Sequence, residues 1–256
     1  MIYIGIPVFN EAETIGVELW QIRKVFQSFP RDYEIIIYDD GSTDATPEIL
    51  RPYAEVLPLK VIRSETRQGY GVALSALCRA ASERTRYARR DALVVMQGDF
   101  TDPPHHLPEL VKRFEGGADV VVVEQPRAAS RPIAVRRLRT LAQLVLRPFV
   151  RLPGVVDPFN AFRLMRISVI REALKAAGGD NASLAASDGW AANVELLLRT
   201  AAVARRVETI ELAPRYDLRP RATRVRPFAG ALTVYRFGRS ARSLRATMKP
   251  ARKQES

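Results

Sequence analysis

Short apolar runs that end in acidic and turn-forming residues recur through the first half of the chain. A strand is predicted at each such run: 2–8, 34–38, 58–62, 92–96 and 119–123. The stretches between them space their apolar residues as helices do, and helices are predicted at 13–29, 47–53, 71–84 and 107–115. Strands that alternate with helices are typical of an α/β fold, in which a mostly parallel sheet is covered by helices on both faces.

The second half of the chain is less regular. Residues 133–150 combine apolar positions at helical spacing with arginines, which predicts a basic amphipathic helix. Such a helix either lies in a membrane interface or packs on the sheet with its arginines in water. The remaining elements are predicted as strands at 161–165 and 206–212 and helices at 167–177 and 189–203. We therefore expect one domain over residues 1–215 and a partly ordered, arginine- and proline-rich extension over 216–256.

The net charge separates this chain from an ordinary globular protein. Of its 256 residues, 47% are hydrophobic and 27% are charged, which is typical of a folded domain. The formal net charge, however, is +12. So strong a positive balance indicates anionic partners, among which are a nucleotide, a lipid phosphate, an anionic membrane surface and nucleic acid.

Three features of the sequence bear on the compartment. Cys78 is the only cysteine and lies in a helical pattern, which predicts a buried thiol and agrees with a reducing cytoplasm. The N-terminus begins directly in a predicted strand, without the pattern of a signal peptide. No run of about 18 apolar residues occurs, so no transmembrane helix is expected.

Acidic residues follow three of the predicted strands. Glu11 comes soon after the first strand, Asp39 and Asp40 directly follow the second, and Asp99 follows the fourth. In an open α/β sheet, ligands bind in the crevice beyond the carboxyl ends of the strands. Carboxylates at that place suit a metal ion that carries an anionic ligand, because Mg²⁺ is usually held by one or two carboxylates plus phosphate oxygens.

The same residues carry a resemblance to a known family. Segments 7–11 (Pro-Val-Phe-Asn-Glu), 39–44 (Asp-Asp-Gly-Ser-Thr-Asp) and 97–99 (Gln-Gly-Asp) resemble the motifs of family 2 glycosyltransferases of the GT-A fold. Segment 157–163 resembles the D-x-x-S-G-F-R segment of the branch that contains the polyprenyl-phosphate (dolichol-phosphate) mannosyl- and glucosyltransferases. In this chain Asn160 and Ala161 stand where Ser and Gly are usual. The resemblance covers roughly residues 2–215.

The resemblance implies a site for Mg²⁺ or Mn²⁺ at the end of the fourth strand. The family pattern there is D-x-D-x-Q, and the corresponding residues here are Gln97, Asp99 and Thr101. Asp99 is then the leading catalytic residue, because the cation it holds stabilises the charge on the departing diphosphate. With Gln97 in place of an acid, the cation should bind more weakly or depend more on the nucleotide's phosphates. The alternative is that Gln97 and Asp99 only shape a turn.

The resemblance also implies a nucleotide-sugar site. Its residues are Pro7, Phe9, Glu11, Asp39, Asp40, Gln97, Gly98, Asp99, Arg127 and Arg163. Pro7 and Phe9 match the wall on which the base packs, although core packing is the alternative for Phe9. For Asp39 and Asp40 the alternative is a turn closed by an Asx hydrogen bond, and we expect one of them to serve the turn and the other the ligand. Arg163 either binds a phosphate or pairs with Asp157 and fixes the loop.

A polyprenyl phosphate acceptor is implied by the narrower resemblance. Such a phosphate is already nucleophilic, so it requires arginines that position it rather than a strong base. The arginines that match the family's basic regions are Arg127, Arg131, Arg136, Arg137, Arg215, Arg219, Arg221 and Arg224, of which Arg136 and Arg137 are the candidates for a catalytic role. The alternative is that these arginines form a solvated basic face.

Three functions remain to be compared. The first is a metal-dependent, inverting transfer of a sugar from a nucleoside diphosphate sugar, of the GDP-mannose or UDP-glucose type, to a polyprenyl phosphate. The enzyme would then be cytoplasmic and peripheral on the inner face of the membrane, alone or beside a membrane protein partner. The second is transfer to a hydroxyl acceptor, which requires a base such as Asp188 or Glu195. The third, nucleic-acid binding, has no recognised motif and leaves the acidic strand ends unexplained, so no nucleic acid partner is expected.

Overall fold

The computed structural model describes residues 1–126, 139–140, 142–144, 146, 152, 154–214 and 236–237. Strands β1 (Ile2–Val8), β2 (Tyr33–Asp39), β3 (Leu59–Arg63), β4 (Ala92–Val95), β5 (Val120–Glu124), β6 (Arg163–Arg166) and β7 (Val207–Glu211) form one sheet. The helices are α1 (Ile15–Ser28), α2 (Thr46–Val56), α3 (Tyr70–Arg84), α4 (Leu107–Glu115), α5 (Ile167–Ala176) and α6 (Gly189–Ala201). These bounds confirm the predicted elements within a few residues.

The sheet has the strand order β3-β2-β1-β4-β6-β5-β7. All neighbouring strands run parallel except β6, which lies antiparallel between β4 and β5. The expected mostly parallel sheet is therefore confirmed. Because Val8 of β1 is level with Asp39 of β2, residues 9–11 and 40–44 leave the sheet side by side at its carboxyl edge.

Helices cover both faces of the sheet, as expected for strands that are apolar on both sides. Side chains such as Ile4 and Ile6 of β1 pack with Leu19 of α1 on one face. On the other face, Tyr3 of β1 and Leu93 of β4 pack with α3. This alternation is the two-residue period of a strand, and it places the carboxyl ends of β1, β2 and β4 on a rigid support.

Two predictions about the second half are tested only in part. Of the predicted helix 133–150, the described residues are 139–140, 142–144 and 146, and all of them are helical. Ala142 and Leu146 are buried in a third apolar cluster, whereas Leu144 is 63% exposed. Of the extension 216–256, only residues 236–237 are described.

The structure confirms the buried thiol that was expected at Cys78. Cys78 is buried on α3, and burial raises the pKa of its thiol to about 12, so the thiol stays protonated. Among the residues that the structure describes, no helix combines the length and the apolar character needed to cross a bilayer.

Candidate active site at the carboxyl edge of the sheet

The loops that follow β1 and β2 are joined by hydrogen bonds. The N–H of Asn10 donates to Ser42 Oγ over 2.9 Å, and the N–H of Thr43 donates back to Asn10 Oδ1 over 2.8 Å. The N–H of Glu11 donates to Thr46 Oγ1 over 2.9 Å. Asn10 has a φ of 55°, a left-handed conformation that Asn tolerates better than most residues. These contacts fix the backbone beside Phe9 and Glu11 before any ligand arrives.

Asp39 and Asp40 have different structural roles. Asp39 Oδ1 accepts the N–H of Ser42 over 2.9 Å, which closes the turn after β2. Asp40 instead reaches the loop after β3, where its carboxylate accepts the N–H of Gln68 over 2.6 Å and that of Gly69 over 3.0 Å. The turn predicted for one of the two is therefore found at Asp39. Asp40 anchors the loop 64–69, which we name the donor loop.

The donor loop also contacts the predicted base-packing wall. The guanidinium of Arg67 lies 4.3 Å from the centre of the Phe9 ring, a cation–π geometry. Pro7 and Phe9 are both partly accessible rather than buried in the core. Phe9 thus presents an aromatic surface at the crevice. Sequence reasoning missed Arg67, because its place over Phe9 follows from the Asp40 anchor and not from a local pattern.

The turn after β4 brings the predicted metal ligands together. The N–H of Thr101 donates to Asp99 Oδ1 over 3.1 Å, and the N–H of Gln97 donates to Asp102 Oδ2 over 3.0 Å. Phe100 between them has a φ of 64°, a strained conformation of the kind that clusters at functional sites. A Cβ on Gly98 would lie 3.2 Å from the Ile6 side chain and 3.3 Å from that of Ile15, so a small residue is needed there.

The residues of this turn fit a hard divalent cation. Asp99 supplies a carboxylate, Gln97 an amide oxygen and Thr101 a hydroxyl, and oxygen donors are what Mg²⁺ and Mn²⁺ prefer. Thr101 Oγ1 is buried without a hydrogen-bond partner, which leaves it available as a ligand. No group of three or more His, Cys, Asp or Glu side chains suited to a metal occurs within the described ranges. A cation at this turn would complete its coordination with other oxygens, such as those of water or phosphate.

Two more acids lie behind this turn, and sequence reasoning did not single them out. Burial raises the pKa of Asp102 to about 7, with the Gln97 N–H opposing the rise and the charge of Asp99 adding to it. Glu18 of α1 is 0% exposed, and neither of its carboxylate oxygens has a hydrogen-bond partner. Burial, followed by the charges of Asp102 and Asp99, raises the pKa of Glu18 to about 9, so Glu18 is neutral at pH 7. The sequence did contain a signal for the burial of Glu18, because this residue lies in the apolar stripe of α1 with Ile15 and Leu19.

In segment 157–163, Asn160 and Phe162 line a small cavity together with Thr101 and Asp102, and Arg163 holds the segment from within. Arg163 is 0% exposed, and its guanidinium donates to the main-chain oxygens of Asn160, Ala161 and Asn193. Such burial contradicts a direct phosphate contact. Asp157 forms an ion pair with Arg139, whose Nη2 lies 3.1 Å from Asp157 Oδ2, and its charge also acts on Arg163. Arg163 therefore fixes the loop, as its second alternative expected, and we name the segment the acceptor segment for the role proposed below.

The two candidate bases are both hydrogen bonded to main-chain groups. Asp188 is exposed, and its Oδ1 accepts the N–H of Tyr70 at the start of α3 over 2.9 Å. Glu195 is buried, accepts the N–H of Ser187 over 3.0 Å and pairs with Arg199. A Cβ on Gly71 would lie only 2.0 Å from the carbonyl oxygen of Ser187, so α3 and this loop are in close contact. Glu195 is thus a structural residue, and Asp188 remains at the rim of the site.

The other predicted acceptor residues lie outside the described residues. These are Arg127, Arg131, Arg136, Arg137, Arg215, Arg219, Arg221 and Arg224. The structure brings together Phe9, Asp40 and the Gln97–Thr101 turn at the carboxyl edge of the sheet, and it places Asp188 beside the start of α3.

Comparison with protein families matches the same part of the chain. Residues 3–174 match the family described as Glycosyl transferase family 2. The chain belongs to this family. The match includes the β1 and β2 loops, the turn at Asp99 and the acceptor segment, which confirms the resemblance read from the motifs.

Similar curated proteins include transferases that are named for lipid carriers. The bactoprenol glucosyl transferase of Shigella phage SfV is 31% identical over 172 residues, which are 66% of this chain and 53% of that protein. The dolichol-phosphate mannosyltransferase of Pyrococcus furiosus is 28% identical over 170 residues, or 64% of this chain and 46% of that protein. This chain therefore spans about half the length of the curated relatives it matches.

Solved structures confirm the fold. Glucosyl-3-phosphoglycerate synthase from Mycobacterium tuberculosis, in complex with Mn²⁺, UDP and phosphoglyceric acid, superposes with a TM-score of 0.64 at 20% identity. The match covers 99% of this chain and 80% of that one. TarS from S. aureus in complex with UDP-GlcNAc gives a TM-score of 0.56 at 18% identity, over 83% of this chain and 57% of that one.

Proposed function

We propose that this chain transfers a sugar from a nucleoside diphosphate sugar to a polyprenyl phosphate, with inversion at the anomeric carbon and with Mg²⁺ or Mn²⁺ as cofactor. Residues 1–215 would form the catalytic domain and residues 216–256 a basic extension. Family membership, the strand-end acids and the names of the relatives support this proposal.

The observation that carries the choice of acceptor is the similarity to transferases named for bactoprenol and dolichol phosphate. Asp188 is the one accessible candidate base in the described part of the acceptor side, and its Oδ1 is already engaged by a main-chain N–H. A hydroxyl acceptor needs a base placed for proton removal, whereas an ionised phosphate does not. Replacement of Asp188 therefore distinguishes the two classes of acceptor.

The roles of the residues follow from their places in the crevice. Phe9 and the donor loop would hold the nucleoside, and Asp99 with Gln97 and Thr101 would hold the cation. When bound, the cation supplies electrostatic stabilisation to the departing diphosphate. The acceptor phosphate oxygen forms a bond to the anomeric carbon as the bond to the diphosphate breaks on the opposite face, which inverts the configuration. The acceptor segment would orient this phosphate.

Such an acceptor places the active enzyme at a membrane surface. Leu144 and Val156 are 63% and 64% exposed, and Gln143 donates to the carbonyl oxygen of Val156, so these apolar side chains belong to neighbouring segments. Together with the net charge of +12, they suit peripheral attachment to an anionic cytoplasmic leaflet, alone or beside a membrane protein partner. Salt should weaken an attachment of this kind, because it screens exposed charges.

The test is a screen of donors against acceptors. GDP-mannose, UDP-glucose and related donors are incubated with Mg²⁺ or Mn²⁺ and a short polyprenyl phosphate, and a parallel series contains saccharide or small-molecule hydroxyl acceptors. Sugar transfer to the polyprenyl phosphate is the expected product. Transfer to a hydroxyl acceptor alone would overturn the proposal in favour of the second enzyme class, and binding of DNA without any transfer would favour neither enzyme.

A further inference from the structure

Tyr70 connects the donor loop to the other half of the chain. It is the first residue of α3 and directly follows Gly69, the residue whose N–H Asp40 binds. At its main chain, Tyr70 donates to Asp188 over 2.9 Å, and at its side chain the hydroxyl donates to Asn193 Oδ1 over 3.1 Å. One residue thus makes two contacts that cross more than a hundred positions of sequence.

Asn193 of α6 passes this connection on to the acceptor segment. Its side-chain Nδ2 donates to the main-chain carbonyl oxygen of Phe159 over 3.2 Å. The main-chain carbonyl oxygen of Asn193 accepts Arg163 Nη1 over 2.8 Å. The chemistry of the partners fixes the orientation of the amide, because a carbonyl oxygen only accepts and Nδ2 only donates. Asn193 Oδ1 must then face Tyr70, and the phenol must be the donor.

Packing alone does not require a hydroxyl where Tyr70 meets Asn193. Asn193 is 3% exposed and Phe159 is 1% exposed, and apolar side chains would fill such a place without the cost of burying polar groups. A satisfied buried polar pair specifies one arrangement of the elements that it joins. Here it joins the donor loop, which rests on Asp40 and Phe9, to Phe159 in the acceptor segment.

We propose that Tyr70 is a positioning residue whose hydroxyl, through Asn193, fixes the acceptor segment relative to the donor loop. The inference rests on the proposed function for its account of acceptor use, but the connection itself is a property of the fold. Burial raises the pKa of the Tyr70 phenol, so the hydroxyl keeps its proton and continues to donate at physiological pH.

Hydrogen–deuterium exchange of the full chain tests the connection without an acceptor. UDP or GDP with Mn²⁺ is added to the parent protein and to Tyr70→Phe, which removes only the hydroxyl. In the parent protein, exchange should slow in residues 64–70 and also in 157–163. In Tyr70→Phe the slowing should persist in 64–70 and be lost in 157–163. Tyr87→Phe, at an exposed tyrosine, is the matched control and should behave as the parent protein does.

Two outcomes of this experiment would overturn the proposal. One is equal slowing of 157–163 in Tyr70→Phe and in the parent protein. The other is that nucleotide binding never affects 157–163. A loss of nucleotide affinity together with a lower Tm in Tyr70→Phe would also count against it, because the tyrosine would then serve stability alone.

Steady-state kinetics then ask whether the connection matters for transfer. The loss of one hydrogen bond of ordinary strength predicts that KM for the polyprenyl phosphate rises roughly 10-fold in Tyr70→Phe, with nucleotide affinity within about 2-fold of the parent value. An unchanged acceptor KM would contradict the positioning role. If the parent protein transfers to no phosphate acceptor, the proposed function fails, while the exchange experiment still decides the connection.

Discussion

Arg139 and Asp157 form an ion pair that is almost completely removed from solvent, with 3.1 Å between Nη2 and Oδ2 and with exposed side-chain fractions of 7% and 8%. Asp157→Asn would leave the Arg139 charge buried and unpaired, which typically costs about 3–5 kcal/mol. We therefore expect the free energy of unfolding, measured by urea titration, to fall by about that amount. The control is Glu109→Gln in the exposed pair with Lys112, which should cost at most about 1 kcal/mol. Equal losses of stability in Asp157→Asn and Glu109→Gln would contradict a buried ion pair between Arg139 and Asp157.

Asp99→Ala is expected to abolish metal-dependent nucleotide binding and sugar transfer, because it removes the one carboxylate among the proposed ligands. Gln97→Asp should tighten the binding of Mn²⁺, because it adds a second negative charge. Calorimetric titration of Mn²⁺ and of UDP or GDP measures both effects, with Asp180→Ala in an exposed loop as the control. Normal transfer by Asp99→Ala in EDTA would exclude the metal mechanism, and unchanged Mn²⁺ affinity in Gln97→Asp would remove Gln97 from the ligands.

Glu18 should make the protein less stable as the pH rises. Its pKa is about 9 in the folded state and near the ordinary 4.5 when unfolded. Between these values the folded state retains a proton that the unfolded state has released, so the free energy of unfolding falls with increasing pH. Glu18→Leu removes this dependence and an unsatisfied buried group, and should stabilise the protein at pH 8 by about 1–3 kcal/mol. Urea titrations at a series of pH values between about 5 and 9 measure the free energy of unfolding of both proteins. Glu55→Leu, at an exposed glutamate on α2, should leave the pH slope unchanged, and an equal slope in Glu18→Leu would disprove a buried neutral Glu18.

The nature of the acceptor predicts opposite results for two variants. Asp188→Asn should retain most activity, because an amide oxygen still accepts the N–H of Tyr70 and a phosphate acceptor needs no base. Replacing Arg136 and Arg137 together by Gln should raise the acceptor KM or abolish turnover, with donor affinity nearly unchanged. Steady-state transfer and a separate calorimetric measurement of donor binding check both. An inactive Asp188→Asn beside a nearly normal arginine double variant would favour a hydroxyl acceptor, for which base catalysis is typically worth about 10²–10⁴-fold.

The donor side of the crevice was predictable because its residues follow strands directly. A strand that ends at Asp39 or just before Gln97 delivers those residues to the carboxyl edge whatever the rest of the chain does. The turn at Asp39 was likewise expected from local chemistry. This part of the site depends on short-range sequence and on the parallel register.

The acceptor side was less predictable because its contacts join distant segments. No local pattern tells whether Asp157 pairs with Arg163 or with Arg139, and the structure decides for Arg139 because β6 carries the Arg163 side chain into the core. The contact between Tyr70 and Asp188 spans 118 positions, with no signal at either end. Glu18 differs from both, because its place in the apolar stripe of α1 was visible in the sequence.

The antiparallel direction of β6 has a consequence for how such a chain can diversify. Because β5 and β6 are antiparallel neighbours, β5 ends and β6 begins at the same edge of the sheet, which is also the edge where β1, β2 and β4 end. An exchange of residues 125–162 would therefore keep both junctions at this edge, provided that the new segment replaces the hydrogen bonds of Val156 and Asn160 to β5. If the proposed function holds, chimaeras joined at the ends of β5 and β6 would show whether residues 125–162 alone can change the acceptor that the enzyme uses.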